Sequence, residues 1–189
     1  MANPLVTRAR IEEEVKNSLA ATLRTEADSI DLSGSVVNDL QATSIDFLDI
    51  NFRLESAFGI QLATQLLLDH VEEEVGEGKA IDTNNQITAP AADFLKLYFG
   101  DRPELKAGLY ADEIPMLVTG HIVADGVERI VEHLPEKCED CGASDWKSDD
   151  GAKVVCNACG AEAQYPDGDT LIKAWINKVE DEQKLFSGA

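Results

Sequence analysis

Four cysteines, arranged as two identical knuckles, constrain the fold of this chain more than any other feature. The pattern is Cys-x2-Cys-x14-Cys-x2-Cys, each pair is followed by glycine, and no cysteine of the 189 residues lies outside it. Each pair places two thiolates on one tight turn, and four thiolates at this spacing suit a tetrahedral metal ion. The pattern therefore predicts a small β-rich metal ribbon over residues 136–166, with the ligands Cys138, Cys141, Cys156 and Cys159.

The ion in this ribbon is expected to be structural, because a segment so short cannot build a core of its own. We expect the ribbon, together with the terminal helix around Trp175, to provide a docking surface for partner proteins. The segment resembles zinc ribbons, and also the rubredoxin-type iron sites that share its Cys-x-x-Cys-Gly knuckles. Zinc is expected because structural tetrathiolate sites most often hold it, and iron is the alternative. The N-terminus lacks the apolar run of a signal peptide, so we expect a cytoplasmic location, where thiols stay reduced.

The charge of the chain limits its partners. Acidic residues number 36 and basic residues 16, which gives a formal net charge of −20. Such a surface repels nucleic-acid phosphates and anionic lipid, and it attracts proteins with basic patches. No stretch approaches the length of a membrane span, so membrane insertion is not expected. We expect a monomer that binds other proteins.

Apolar periodicity predicts a mainly α protein. Apolar residues make up 44% of the chain, which is sufficient for a packed core. Helices are expected over Leu5–Leu23, Ser44–Phe58, Leu62–Val75, Thr88–Phe99, most of Leu105–Leu134, and 169–186. The histidines have no partner at ligand or catalytic spacing and are expected to be surface or packing residues: His70, His121 and His133.

Ser44 stands at the start of the second predicted helix. A serine at this place is ordinarily an N-cap. The same helix, however, has a second apolar face, formed by Ile45, Leu48 and Phe52, in addition to the face that a core requires. We call these three residues the docking ridge, since an exposed apolar stripe fits a partner surface, unless a later segment covers it. Flanking carboxylates form what we call the acidic rim: Asp46, Asp49 and Glu55.

The sequence around Ser44 resembles the signature of acyl carrier proteins. Asp39-Leu40-Gln41-Ala42-Thr43-Ser44-Ile45-Asp46 is similar to the Asp-Leu-Gly-Ala-Asp-Ser-Leu-Asp of that family. Ile11-Glu12-Glu13-Glu14-Val15-Lys16 resembles its first helix, and Leu54–Leu62 resembles the end of its second. The resemblance covers about residues 5–100 and implies a four-helix carrier bundle. It also implies a 4′-phosphopantetheine on Ser44 that holds acyl groups as thioesters.

The same resemblance implies a protein that performs no catalysis. Its expected partners are a phosphopantetheinyl transferase and acyl-processing enzymes with basic docking patches, in fatty acid, specialised lipid or polyketide synthesis. Gln41 replaces the glycine of the signature and Thr43 replaces its second Asp, so a dedicated transferase is conceivable. The region between Leu62 and Thr88 is longer than in the family. It is either a tolerated insertion or a sign of an unusual acyl chain or partner.

The predicted domain order is a carrier domain over 1–100, a helical extension over 101–135, the ribbon over 136–166 and a C-terminal helix over 167–189. Two alternatives remain open at this point. One is a rubredoxin-like electron-transfer protein on a carrier-like helical scaffold. The other is a regulatory adaptor whose carrier-like domain has lost its arm.

Overall fold

The structure is a computed structural model, which describes residues 3–187. It confirms the mainly α fold class with a small two-stranded sheet. The α-helices of the described residues are α1 (Arg8–Leu23), α2 (Ser44–Phe58), α3 (Leu67–Val75), α4 (Ala89–Phe99), α5 (Gly120–Val131) and α6 (Gly168–Gln183). The strands β1 (Trp146–Lys147) and β2 (Val155–Cys156) pair antiparallel. Short 3-10 helices cover Ala27–Ser29 and Ala111–Leu117.

The chain folds into two compact units, and each is built from two separate stretches of sequence. The first unit contains residues 3–62 and Val118–Gly168, and the second contains Ala63–Leu117 and residues 169–187. These boundaries differ from the predicted domain order, because residues 63–100 belong to the same unit as residues 169–187 of the C-terminal helix. The predicted ribbon, 136–166, lies wholly within the first unit.

The core of the first unit lies where α1 packs against both α2 and α5. On α1, Ile11, Val15 and Leu19 are fully buried, and their spacing of four residues forms one apolar stripe. Fully or almost fully buried side chains face this core from the other two helices: Ile50, Leu54 and Phe58 from α2, and Val127, Ile130 and Val131 from α5. Three helices from distant parts of the sequence therefore share one core.

A close backbone approach joins α5 to the loop that follows α1. The Val36 N–H donates to the Val118 carbonyl at 2.9 Å, and the His121 N–H donates to the Leu32 carbonyl at 3.0 Å. A Cβ built on Gly120 would lie 2.4 Å from Leu32 Cδ2 and 3.1 Å from Leu32 Cα. A residue with a Cβ at this first position of α5 would therefore require Leu32 or the helix to shift.

The second unit packs α3, α4 and α6 around aromatic side chains. The ring of Phe94 lies 4.8 Å from that of Trp175 and 5.9 Å from that of Phe186, centroid to centroid. His70 is fully buried, and its Nε2 lies 2.8 Å from Asp169 Oδ1. His70 is thus a packing histidine, as expected, although its carboxylate partner is 99 residues away in sequence.

Several predicted helices are shorter in the structure: α1 begins at Arg8 and not at Leu5, and α6 ends at Gln183 and not at 186. Helix α3 begins at Leu67, not at Leu62. The segment Leu105–Leu134 is mostly helical, as expected, but in two pieces: Ala111–Leu117 is a 3-10 helix containing Pro115, and Gly120–Val131 is α-helical. Proline lacks the N–H that an α-helix interior requires, which accounts for the interruption. Within residues 3–187, no helix combines the length and the apolar character that a membrane span needs.

Candidate functional site

Ser44 is the first residue of α2, and its side chain is exposed. The helix is capped by the preceding residue: Thr43 Oγ1 accepts a hydrogen bond from the Asp46 N–H at 3.5 Å, and the Asp46 carboxylate accepts one from the Thr43 N–H at 2.7 Å. This reciprocal pair is a capping box. The interpretation of Ser44 as the N-cap is therefore wrong, because Thr43 performs that function.

The position of Ser44 suits an anionic substituent. The N–H groups of the first turn of a helix lack intrahelical acceptors, and the helix dipole places partial positive charge at this end. A phosphodiester on Ser44 would be attached at this end of the helix, and helix N-termini commonly bind phosphate. The local backbone thus favours the chemistry that the carrier resemblance implies.

The backbone before Ser44 keeps a glycine-like turn without glycine. Gln41 has φ 59°, in the left-handed region, at the position where the carrier signature has glycine. A residue with a Cβ pays about 1–2 kcal/mol for this conformation. The turn is supported by Gln41 Nε2, which donates to the Asn38 carbonyl, and by Asp39, whose carboxylate accepts from the Ser35 N–H at 2.7 Å.

The docking ridge is open to solvent. Ile45, Leu48 and Phe52 are 75%, 70% and 66% exposed, the three highest values among the exposed large hydrophobic residues of the described chain. The opposite face of α2 is buried against the core of the first unit through Ile50 and Leu54. No described segment therefore covers the ridge, and the helix has two apolar faces, of which only one packs.

Every carboxylate of the acidic rim has a partner within the chain. The Thr43 N–H and hydroxyl donate to Asp46, and these bonds lower the pKa of that carboxyl. Asp49 accepts hydrogen bonds from the Thr22 hydroxyl at 2.7 Å and from Arg53 Nε at 2.8 Å. Both bonds lower the pKa of Asp49, and the bond from Thr22 has the larger effect. Glu55 accepts from the Leu62 N–H at 2.8 Å. The three carboxylates therefore all lie on α2, and of the three only Asp49 is paired with a cation.

The four cysteine sulfurs converge in one cluster. All four Sγ atoms lie within 4.8 Å of one another, and the pairs Cys138–Cys159 and Cys141–Cys156 are both 3.6 Å apart. A regular tetrahedron with Zn–S bonds of about 2.3 Å has S–S edges of about 3.8 Å. The geometry therefore fits a tetrathiolate metal ion, and the cluster is of the kind that a metal ribbon requires.

The chemistry of the thiols supports the same conclusion. Hydrogen bonds from backbone N–H groups lower the pKa of Cys156 to about 7, and the N–H of Cys159 has a larger effect than that of Ala158. At Cys159, a backbone hydrogen bond from Ala161 lowers the pKa, but the neighbouring sulfurs of Cys141 and Cys138 raise it. The net result is a pKa raised to about 12. Four neighbouring thiolates repel one another, so a cation is needed for all of them to ionise together.

The ribbon packs within the first unit near the C-terminal end of α2. The Gly168 N–H donates to the Gln61 carbonyl at 2.8 Å, and Arg10 Nε donates to the Asp150 carbonyl at 3.1 Å. Gly59, the left-handed C-cap of α2, lies beside the ion pair Lys153–Glu162, whose Nζ–Oε1 distance is 3.1 Å. The ribbon and the helix that begins with Ser44 are thus parts of one compact unit.

Sequence reasoning missed one residue of this site, Arg53. Its spacing of four residues from Asp49 is the spacing at which helical side chains meet, so a signal for the ion pair was present in the sequence. It also missed the contribution of α5, for which no local pattern gives a signal.

The site is an exposed serine at the first position of a helix that has one buried and one exposed apolar face, in a small helical unit, and this arrangement is the one expected of a carrier-type protein. The chain is 36% identical over 67 residues to the acyl carrier protein AcpXL of Brucella melitensis, a match that covers 35% of this chain and 68% of the relative. It is 33% identical over 60 residues to an acyl carrier protein of Coprothermobacter proteolyticus, covering 32% and 73%. The chain belongs to the acyl carrier protein family.

Membership of this family implies a phosphopantetheine prosthetic group and a carrier role without catalysis of its own. No protein-family model matches the chain. No solved structure matches it either.

Proposed function

We propose that Ser44 carries a 4′-phosphopantetheine arm and that the protein presents acyl thioesters on this arm to partner enzymes. The observation that carries the proposal is the position of Ser44, exposed at the N-terminus of α2 and free of the capping function that Thr43 performs. The family relationship supports the same attachment. The adaptor alternative, a carrier-like domain without an arm, leaves this serine unmodified.

The partners proposed here are a phosphopantetheinyl transferase and acyl-processing enzymes of fatty acid, specialised lipid or polyketide synthesis. The docking ridge supports this choice, because 66–75% exposure of three large apolar side chains is costly unless a partner covers them. Asp46 and Glu55 have no cationic partner in the described chain, so they remain available to steer basic groups of such an enzyme.

The carrier bundle itself is proposed to consist of α1, α2 and α5. These helices share the core of the first unit, and α5 is held to the Leu32 loop by the close approach of Gly120. On this proposal, the stretch Ala63–Leu117 interrupts the carrier sequence and folds with the C-terminal helix as a separate compact unit. The unusual length of the region after Leu62 is then an inserted unit rather than a long loop.

For the four cysteines we propose a structural zinc ion. Tetrathiolate geometry and the packing of the ribbon within the first unit support a structural role. The same ligands suit iron, which would make the protein a rubredoxin-like electron carrier. Elemental analysis of the purified protein separates the two ions. Colour gives the same answer, since ferric tetrathiolate is red and the zinc protein is colourless.

Intact-mass spectrometry tests the proposed arm. Incubation with coenzyme A and a broad-specificity phosphopantetheinyl transferase should add the mass of one phosphopantetheinyl group, and Ser44→Ala should abolish the gain. Ser56→Ala is the matched control, because Ser56 is an exposed serine on the same helix and its loss should leave the mass gain unchanged. Modification that persists in Ser44→Ala, or that fails in every variant, would contradict the carrier assignment.

A further inference from the structure

The charge distribution around the docking ridge is asymmetric. Helix α2 contains three acidic residues and one basic residue, Arg53. Asp49 and Arg53 follow Ile45 at successive intervals of four residues, so both lie on the flank next to the ridge. Arg53 is half-exposed and binds Asp49 at 2.8 Å, which neutralises the middle of this flank. Asp46 stays uncompensated at the Ser44 end of the helix, and Glu55 lies on the other side of the ridge.

The charge of Asp49 is already compensated within the chain by Arg53. The same oxygen, Oδ2, accepts both the Thr22 hydroxyl at 2.7 Å and the Arg53 guanidinium at 2.8 Å. A basic group on an approaching enzyme would meet the positive charge of Arg53 beside the ridge. Like charges brought together in this way oppose the association of two proteins.

We propose that Arg53 is a specificity-determining residue of the docking ridge. It selects partners whose surface offers an apolar pocket for the ridge and an acidic or neutral group opposite Arg53, and it disfavours partners that are basic throughout. This inference rests on the proposed function of Ser44. It predicts that association with α2 depends on apolar contact more than on charge, so that salt affects it weakly.

The test measures how fast the arm is attached. The probe is a phosphopantetheinyl transferase with a basic docking surface, supplied with coenzyme A, and the readout is kcat/KM at 0.1 M and 1 M NaCl. Arg53→Ala leaves Asp49 without its cationic partner and should raise kcat/KM about three- to tenfold at the lower salt. This is the size of effect expected when one charge is changed in an electrostatically steered association. The gain should vanish at 1 M NaCl, where the Debye length is about 3 Å.

Two further variants make the result specific. Asp49→Asn retains an acceptor for Thr22 but leaves Arg53 unpaired, so it should lower kcat/KM with the same probe. Lys178→Ala removes one positive charge from an exposed position of α6, in the second unit, and should change the rate by less than about 1.5-fold. An effect of Lys178→Ala as large as that of Arg53→Ala would show that net charge, not Arg53, is responsible.

The outcomes distinguish this inference from the proposed function. Complete modification of all variants at equal rates overturns the role of Arg53 and leaves the arm on Ser44 intact. Failure to modify the wild type and Arg53→Ala alike overturns the proposed function, and the inference with it. Misfolding does not confuse the result, because an exposed ion pair contributes little to stability, and thermal unfolding of each variant verifies this.

Discussion

Replacing Gly120 by alanine tests whether α5 completes the unit that contains Ser44. The added Cβ would lie 2.4 Å from Leu32 Cδ2 and 3.1 Å from Leu32 Cα. The side-chain atom can rotate away, but the Cα can move only with the backbone. Overpacking of this kind costs about 1–3 kcal/mol. The gain in helix propensity from glycine to alanine, at most about 1 kcal/mol, offsets part of it.

The expected net result is a loss of about 1–2 kcal/mol in the free energy of unfolding of the first unit. For a chain of this size, Tm falls by about 2–4 °C per kcal/mol. Gly126→Ala is the matched control on the same helix, because a Cβ on Gly126 meets no atom within 4 Å. That variant should stabilise the protein by up to about 1 kcal/mol, since alanine is the better residue in a helix interior.

Hydrogen exchange of backbone amides, measured by mass spectrometry, is the assay. In Gly120→Ala, exchange should accelerate in α1, α2 and α5, while α4 and α6 of the second unit serve as internal controls. If Gly120→Ala and Gly126→Ala shift stability in the same direction, the close approach to Leu32 is not a constraint. If the acceleration is confined to α5, that helix is an appendage and not part of the carrier core.

Three further predictions concern the Ser44 turn, the second unit and the ribbon. At Gln41, with φ 59°, Gln41→Val should destabilise the protein to urea by about 1–2 kcal/mol relative to Gln41→Gly; equal stability would contradict a left-handed turn. At Asp169, burial raises the pKa, but hydrogen bonds from Thr64 and His70 outweigh burial and lower it on balance. Ionised Asp169 therefore stabilises the folded protein above the unfolded pKa of about 3.9, and this stabilisation is lost as the pH falls through the folded pKa. The difference in stability between wild type and Asp169→Asn should therefore shrink below about pH 4; a constant difference would contradict the linkage. Removal of the metal by a chelator should accelerate amide exchange in residues 136–166 first, because the ribbon has only two-residue strands; unchanged exchange there would argue against a structural ion.

Local patterns were sufficient to predict the parts of the site that depend on neighbours in sequence. The stripe of Ile11, Val15 and Leu19 predicted α1, and the paired knuckles predicted that the four sulfurs meet. The two faces of α2 followed from its period, with the buried face and the exposed ridge both where they were expected. Each of these features repeats within a few residues, which is the range over which periodicity carries information.

The division into two units could not be predicted in this way. It depends on contacts such as that of Gly120 with Leu32, and that of Asp169 with His70 and Thr64, which join residues about 90–105 positions apart. A glycine that is required for a close approach looks in sequence like any other glycine. Likewise, Asp169 looks like an ordinary acidic residue of a helix first turn, although its carboxylate ties α6 to the start of the second unit.

The two departures from the carrier signature have different consequences. Gln41 preserves the geometry of the glycine that it replaces, because its backbone adopts the left-handed conformation regardless. Thr43 preserves the capping of α2 but replaces a carboxylate with a neutral hydroxyl directly beside Ser44. This substitution removes a negative charge from the end of the helix that a transferase must approach, and the Asp49–Arg53 pair compensates a second negative charge further along the helix. Asp46 and Glu55 remain to attract basic groups, and the exposed ridge of Ile45, Leu48 and Phe52 adds apolar contact area whose contribution does not depend on charge.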